Sequence, residues 1–374
     1  MALTKHKLGE LIEQVDERNT DRRYGLESVR GISTQKQFIA THADMTGVSL
    51  VNYKVVHTHE FVYIPDTSRR GDKIALTFNA SGDNYLVSSI CSVFKVKRPD
   101  LVCDEYLFLF FNRSEFDRLA RFNSWGSARE SLSWDDLCDV DIELPPLDVQ
   151  RKYVRIYQAM KENLQAYEDK FEGLQAVYEL QLDSVKQLPR RPLGELIGEV
   201  DVRNRDLTVA SASGVNKQKV FMPSKAAAAD LSNYKLVMGD QLACNLMHIG
   251  RDEAIPISMN RTSRPVLVSP AYLVMSVNAD VDPGYLFAWL CRSEVDRQAW
   301  FIADTSIRSG LEKARFYELE IPLPSKEVQR GIAELQAAYE QRRSICERLQ
   351  DMIKDVCPLL VRGALLEGER MEVS

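Results

Sequence analysis

Residues 8–19 read LGELIEQVDERN, and residues 193–204 read LGELIGEVDVRN. The same words recur half a chain apart, and the echo continues. GISTQKQF at 31–38 returns as GVNKQKVF at 214–221, and NYKVV at 52–56 returns as NYKLV at 233–237. YLF at 106–108 returns at 285–287, RSE at 113–115 returns at 292–294, and DIELPPLDVQR at 141–151 returns as EIPLPSKEVQR at 320–330. From position 8 to 193 the offset is 185; it falls to 183, then 181, and is 179 for the last three pairs. Chance matches do not keep their order. Matches that keep it while the register contracts mark a tandem duplication with small deletions in loops. Its period lies far above the 20–50 residues of solenoid repeats.

At 374 residues the chain has room for two or three domains with separate cores. A hydrophobic content of 45% and a charged content of 27% are ordinary for a soluble globular protein. The opening MALTKHKLGELIEQ has no apolar run followed by a small-residue cleavage site, so no secretory signal is expected. The longest strongly apolar stretch, YLFLFF at 106–111, is too short to span a bilayer, so no membrane partner is expected either. Seven cysteines without a C-x-x-C pair suit reduced, buried thiols and a cytoplasmic location. The net charge of −6 argues mildly against nucleic acid, because phosphate binding wants a positive surface. Net charge is an average, however, and acidic helices with basic loops still bind DNA.

Each copy opens with short strand-like runs (YKVV, FVYI and YLVSSICSVFKV; YKLV and PVLVSPAYLVMSV) broken by Gly, Asp and Ser turns. One amphipathic helix is expected over YLFLFFNRSEFDRLARF and its counterpart YLFAWLCRSEVDRQAWF, then a polar loop and a short strand ending in proline. Beyond the proline the character changes. Between residues 148 and 188 there is no Pro and the only Gly is Gly173. Steps of four and three from Tyr153 through Tyr157, Leu164, Phe171 and Tyr178 to Leu188 meet apolar or aromatic residues at all positions but Gln181, a sustained heptad seam. The second copy repeats the seam from Val328 to Leu360, interrupted by Arg342. Asp148 and Glu327 suit the positive ends of these helices, and Ser325 suits an N-cap. Roughly 40 residues make about 60 Å at ~1.5 Å per residue, too long for a helix inside a compact domain. PRRP at 189–192 stops the first helix directly before the second copy. The second globular domain then belongs at the far end of helix one, and helix two has to run back along it. The expectation is an α+β fold (mixed α/β) with two tandem globular domains, each followed by a long helix. The helices pair as an antiparallel coiled coil with pseudo-twofold symmetry. The expected boundaries are 1–146 and 190–324 for the domains, 147–189 and 325–367 for the helices, and 368–374 for a tail.

Between the agreeing words the loops differ: ATHADMTGVSLV faces PSKAAAADLS, and TSRRGDKIALTFNASGDN faces HIGRDEAIPISMNRTSRP. Two related readers with divergent loops suit a target with two separated, unlike half-sites. The unit order, the I-x-LP(P)-x-x-x-Q boundary in ELPPLDVQR and IPLPSKEVQR, the S-x-R loops SAR (127–129) and SIR (306–308), and the long helix form an ordered double set. That set resembles the specificity (S) subunit of type I restriction–modification systems over essentially the whole chain. The second boundary departs from the pattern with PS in place of PP, and Arg342 departs from the seam. The resemblance implies that each globular unit is a target recognition domain reading one half of an asymmetric bipartite site in double-stranded DNA. It further implies that the helices set the spacing and dock two modification methyltransferase subunits, to which restriction and translocation subunits can add. The alternative is a duplicated coiled-coil scaffold without DNA binding, which the acidic charge favours.

No chemistry of its own is expected. A DNA methyltransferase needs a glycine-rich cofactor loop and a D/N-P-P-Y/F motif, whereas the one PP here lies in LPPL at 144–147. There is no G-x-x-x-x-G-K-[ST] loop. His57 and His59 are close, but no Cys or His joins them at metal spacing. Cys103 and Cys138 suit core thiols, and SGDNY near Ser81 lacks the strand–elbow setting of a hydrolase serine. No catalytic residue, cofactor or metal is therefore expected. The candidates for DNA contact are Arg69 and Arg70, with Arg251 as the counterpart of Arg70; Gln35 and Lys36, facing Gln218 and Lys219; and Arg129 and Arg308 in the S-x-R loops. Arginine binds guanine bidentately, glutamine does so with adenine, and lysine commonly takes phosphate. The plain alternative for each is a solvated surface charge. Arg129/Arg308 and Lys36/Lys219 recur in both copies, which suits backbone or scaffold contacts, since readers of different bases should differ.

Overall fold

The structure is a computed structural model that describes residues 3–41, 43–67, 73–126, 130–224, 230–249, 253–303 and 310–373. Each repeat builds the same antiparallel sheet. In the first its order is Ile12–Val15, Ser92–Val96, Glu60–Tyr63, Leu76–Phe78. In the second it is Ile197–Val200, Leu273–Val277, Leu242–Cys244, Ile257–Met259. Even the register of the first pair recurs, with Ile12 opposite Val96 and Ile197 opposite Val277. The strands are short, but their period of two is clear. Phe61 and Tyr63 point into the main core under the helices, and Val62 points into a smaller core on the other face. Likewise Leu242 and Cys244 enter the main core of the second repeat, and Ala243 enters its smaller one. A strand at the start of each repeat, Thr4–Lys7 or Arg190–Pro192, pairs with the strand before the long helix, Asp141–Leu144 or Glu320–Pro322.

Buried polar side chains carry the duplication as faithfully as the apolar ones. Asn19 and Asn204, which close the two opening words, each clasp a residue five positions on. Asn19 donates to Tyr24 O (2.9 Å) and accepts from Tyr24 N (3.1 Å), and Asn204 does the same with Val209 (2.9 and 3.2 Å). At the boundary motif Gln150 donates to Pro145 O (2.8 Å) and accepts from Cys103 N (3.0 Å). Gln329 donates to Pro324 O (3.0 Å) and accepts from Asp282 N (2.7 Å). The glutamine thus ties the start of each long helix to the start of the YLF helix. A buried amide bonded through both its oxygen and its nitrogen holds its neighbours in one arrangement.

The single amphipathic helix expected around YLF and RSE is two helices in each repeat: Asp104–Phe111 and Ser114–Phe122, then Pro283–Leu290 and Ser293–Ile302. The arginine of RSE makes the break. Arg113 (φ −76°, ψ 143°) and Arg292 (φ −68°, ψ 141°) are extended and sit at the N-cap of the second helix. Each guanidinium folds back over the aromatic ring three residues earlier, Arg113 at 4.1 Å from the Phe110 centroid and Arg292 at 4.6 Å from that of Trp289.

The long helices are Leu147–Ser184 and Lys326–Val373. The first stops before the expected Leu188 because residues 185–188 turn, with Leu188 N donating to Val185 O, and Pro189 disfavours helical backbone just ahead of it. The second runs on past residue 367. Two compact units each take part of both helices: residues 1–166 with 346–374, and residues 167–345. In the first unit Tyr153 and Val154 pack in one core with Cys357, Leu360, Val361 and Ala364. There Glu367 accepts from Lys152 (2.8 Å) and Tyr153 (3.1 Å), and a Cβ on Gly363 would lie 2.9 Å from Tyr153 Cε1, so the helices need glycine to approach this closely. In the second unit Tyr339 stacks on Phe171 (4.8 Å) and Tyr178 (5.7 Å). Arg342 does not spoil the seam, because its guanidinium lies 5.3 Å from the Tyr167 ring centroid. In both units the partner's number falls as the first helix advances, which makes the pairing antiparallel.

Candidate nucleic-acid interface

The turn that carries Gln35 and Lys36 recurs with Gln218 and Lys219, and both lysines hold left-handed backbone (φ 61° and 63°). Their side chains turn inward. Lys36 is 6% and Lys219 7% exposed. Lys36 Nζ lies 2.6 Å from Asp117 Oδ1, which also accepts from Ile74 N at 3.3 Å. Lys219 Nζ lies 2.7 Å from Asp296 Oδ1 and 3.0 Å from Leu290 O, while Asp296 accepts from Ile255 N at 2.9 Å. Burial pulls the Lys36 ammonium below the ordinary lysine range, with Asp117 working against it. Each lysine therefore bolts its turn to the second helix of the pair, and neither presents its charge to a ligand. Gln35 and Gln218 are exposed but face the long helices. Gln35 lines a groove of about 790 Å³ with Tyr157, Lys161, Ile353 and Lys354. Gln218 lines one of about 480 Å³ with Gln175, Tyr178, Tyr339 and Arg343, and its carbonyl accepts from Arg343 Nη2 at 3.3 Å.

Arg69, Arg70, Arg129, Arg251 and Arg308 lie outside the described residues. The residues flanking their segments are described, and they come together. Thr67, which precedes 68–72, donates from its N and Oγ1 to the carbonyl of Glu130, which follows 127–129, at 2.9 and 3.1 Å. Leu132 N donates to Pro65 O (3.0 Å), and the second repeat makes the equivalent bond from Leu311 N to Leu246 O (2.8 Å). In each repeat the segments bearing the candidate arginines are thus rooted side by side. Arg121 pairs with Glu130 at that root. Shortly before residues 127–129 and 304–309 in the chain come exposed aromatics, Phe122 and Trp125 in the first repeat and Trp300 and Phe301 in the second. Reasoning from sequence passed over them; the available signal was a phenylalanine at one position of both copies.

Among the described residues one trio brings three metal-ligand types together. The nearest ligand atoms of His59, Asp104 and Glu105 all lie within 4.8 Å of one another. His59 Nδ1 is bonded to Asp104 Oδ2 at 2.5 Å. Sharing a proton with Asp104, and then burial, push the Glu105 carboxyl up to about 7. Burial pushes the thiols of Cys103 up to about 11 and of Cys291 and Cys357 up to about 12, the opposite of what a thiolate nucleophile needs. No helix among the described residues is long and apolar enough to cross a membrane.

No protein-family model and no curated protein matches the chain. Solved structures do. Two copies of a sheet-and-helix domain, each followed by a long helix, with the helices antiparallel, define a duplicated fold. It is the fold of a type I specificity subunit: the crystal structure of the type I restriction–modification S subunit from M. genitalium is similar over 97% of this chain and 96% of that one, with a TM-score of 0.63 and 11% identity. Two further structures match over similar spans with low TM-scores. One is an HsdS subunit from Thermoanaerobacter tengcongensis (15% identity, 97% and 96% coverage, 0.35). The other comes from work on complex assembly and conformational transition of the type I R-M system (16% identity, 98% and 97% coverage, 0.39).

Proposed function

We propose that this chain is the non-catalytic, cytoplasmic specificity subunit of a type I restriction–modification complex. Residues 1–146 and 190–324 are its target recognition domains, each reading one half of an asymmetric bipartite DNA site. The helices space the halves and dock two modification methyltransferase subunits, with restriction and translocation subunits able to join. The observation that carries this reading is the pattern of the duplication. The buried framework of Asn19/Asn204, Gln150/Gln329 and the two lysine–aspartate pairs is kept, whereas the segments rooted beside Thr67 and Leu246 differ. A scaffold without a ligand has no use for two divergent loop sets on one frame. DNA contact is assigned to the segments bearing Arg69, Arg70 and Arg129 in one repeat and Arg251 and Arg308 in the other, where arginine suits guanine and phosphate alike.

Long-read mapping of methylated adenines in the host is the test. A bipartite motif is expected, and it disappears when the gene is deleted. Exchanging residues 1–146 for the equivalent domain of a related protein alters one half-site and leaves the other and the spacer intact. Methyl transfer by the isolated chain, or no salt-dependent DNA binding by the assembled complex, overturns the reading; the second result favours the scaffold alternative.

A further inference from the structure

A solvent-facing residue has no packing reason to stay the same after a duplication, so exposed identities between the repeats report a task done twice. Along Ser114–Phe122 and Ser293–Ile302 the copies align at a single offset of 179. Two inner positions agree because they pack, with Asp117 and Asp296 holding the lysines and Ala120 and Ala299 buried, while the buried pair Phe116 and Val295 differs. Four outer positions agree as well: Ser114/Ser293 at the first turn, then Glu115/Glu294, Arg118/Arg297 and Phe122/Phe301. The last three are spaced three and four apart, hence on one face. The rings at its end are 77% and 83% exposed. Outer neighbours have drifted, with Leu119 facing Gln298 and Arg121 facing Trp300.

We propose that this Glu–Arg–Phe stripe is a protein docking site, used once on each repeat by two copies of the same partner. The phenyl ring enters an apolar pocket of the partner and the guanidinium meets a carboxylate. The charge pattern favours protein over DNA. Each stripe carries a carboxylate that repels phosphate, Glu115 at 3.8 Å from Arg118 and Glu294 held by Arg292 (2.8 Å) and Lys186 (3.1 Å). A benzene ring offers phosphate nothing, whereas aromatic and arginine side chains are enriched at the centres of protein interfaces. Identity between the copies fits one species bound twice. The inference rests on the specificity-subunit reading and gives the modification subunit a foothold on the recognition domains themselves, apart from the long helices.

The full chain is co-expressed with its methyltransferase subunit, and the stoichiometry without DNA is read by native mass spectrometry. Wild type is expected to hold two copies. Phe122→Ala or Phe301→Ala yields mostly complexes with one copy, the affected site weakened about 10- to 30-fold, and the double variant weakens both sites. Arg118→Ala with Arg297→Ala is the second probe and shifts assembly in the same direction. Melting temperatures stay at the wild-type value, since neither ring lies in a core. Two copies held at wild-type affinity by the double phenylalanine variant overturn the inference. So does intact assembly with weakened DNA binding, which makes the stripe a nucleic-acid contact. A wild-type chain that takes up no partner fails the specificity-subunit reading itself, so the two failures are told apart.

Discussion

The imidazole of His57 stands between two acceptors, Glu17 Oε2 at 3.0 Å from Nε2 and Asn84 Oδ1 at 3.1 Å from Nδ1. In this orientation the Asn84 amide nitrogen donates to Tyr24 Oη at 2.8 Å, which leaves its oxygen facing the imidazole. Only the imidazolium donates to both. Burial disfavours the charge, but Glu17 and Glu60 outweigh it and hold the pKa above the usual histidine value. With the folded pKa above the unfolded one, the stabilisation is complete below pH about 6.5 and is lost as pH rises through the folded value. Urea melts between pH 6 and 8 should show the first repeat weakening. His57→Met, which copies Met238 at the equivalent place in the second repeat, should flatten that slope; a slope unchanged in the variant assigns it to other groups. Asp117→Ala tests the buried pair. It strands the Lys36 ammonium and is expected to cost about 3–5 kcal/mol, with most recovered by adding Lys36→Met; a loss under about 1 kcal/mol by urea unfolding contradicts the role given to the pair. Lys36 was a plausible DNA contact in the sequence because a string of letters shows charge but not burial, and its partner is 81 positions away. Its recurrence in both copies was the legible clue.

Elements with a long period were readable, and elements decided by one residue were not. The long helices announce themselves through a seam that persists over many turns, and their antiparallel pairing follows from the order of the copies. The break between residues 111 and 114 is invisible by contrast, because the apolar pattern runs on through it and only the extended backbone of Arg113 interrupts the helix. Burial of both helices in each unit also shows where lengthening them would test whether they set the spacing of the half-sites. Each passes from one unit to the other at 166/167 and at 345/346, so paired insertions belong after Ala166 and after Ile345. One heptad in each adds about 10 Å at ~1.5 Å per residue, roughly three base pairs at ~3.4 Å each, and keeps the seam in phase. Methylation mapping is expected to show unchanged half-sites with a spacer longer by about two to four base pairs. Activity should fall, because three base pairs rotate the duplex by about a third of a turn at ~10.5 pairs per turn. A fully active variant with the original spacer removes the helices from the role of ruler.

At the scale of the molecule, the duplication was the most legible fact, since a few kept words in unbroken order are enough to declare it. What the sequence could not convey is which loops share a root, because Thr67 and Glu130 meet through the fold and not through proximity in the chain. The division of the helices has a consequence for biogenesis. Residues 167–345 form one uninterrupted unit, whereas the unit that contains the first repeat needs residues 346–374 as well. Its core includes Cys357, Leu360, Val361 and Ala364. Nascent chains ordinarily complete domains in the order of synthesis; here the repeat that leaves the ribosome first must wait, its apolar flank uncovered, for the segment made after its sibling is finished. Closing so long a loop adds little to the equilibrium cost but delays the step, as any contact of high sequence separation does. Hydrogen exchange on a chain cut after Ile345 should find residues 167–345 protected and residues 1–166 loosened. Equal protection of both would place the late segment outside the first core. A premature stop there injures the earlier repeat and spares the later one.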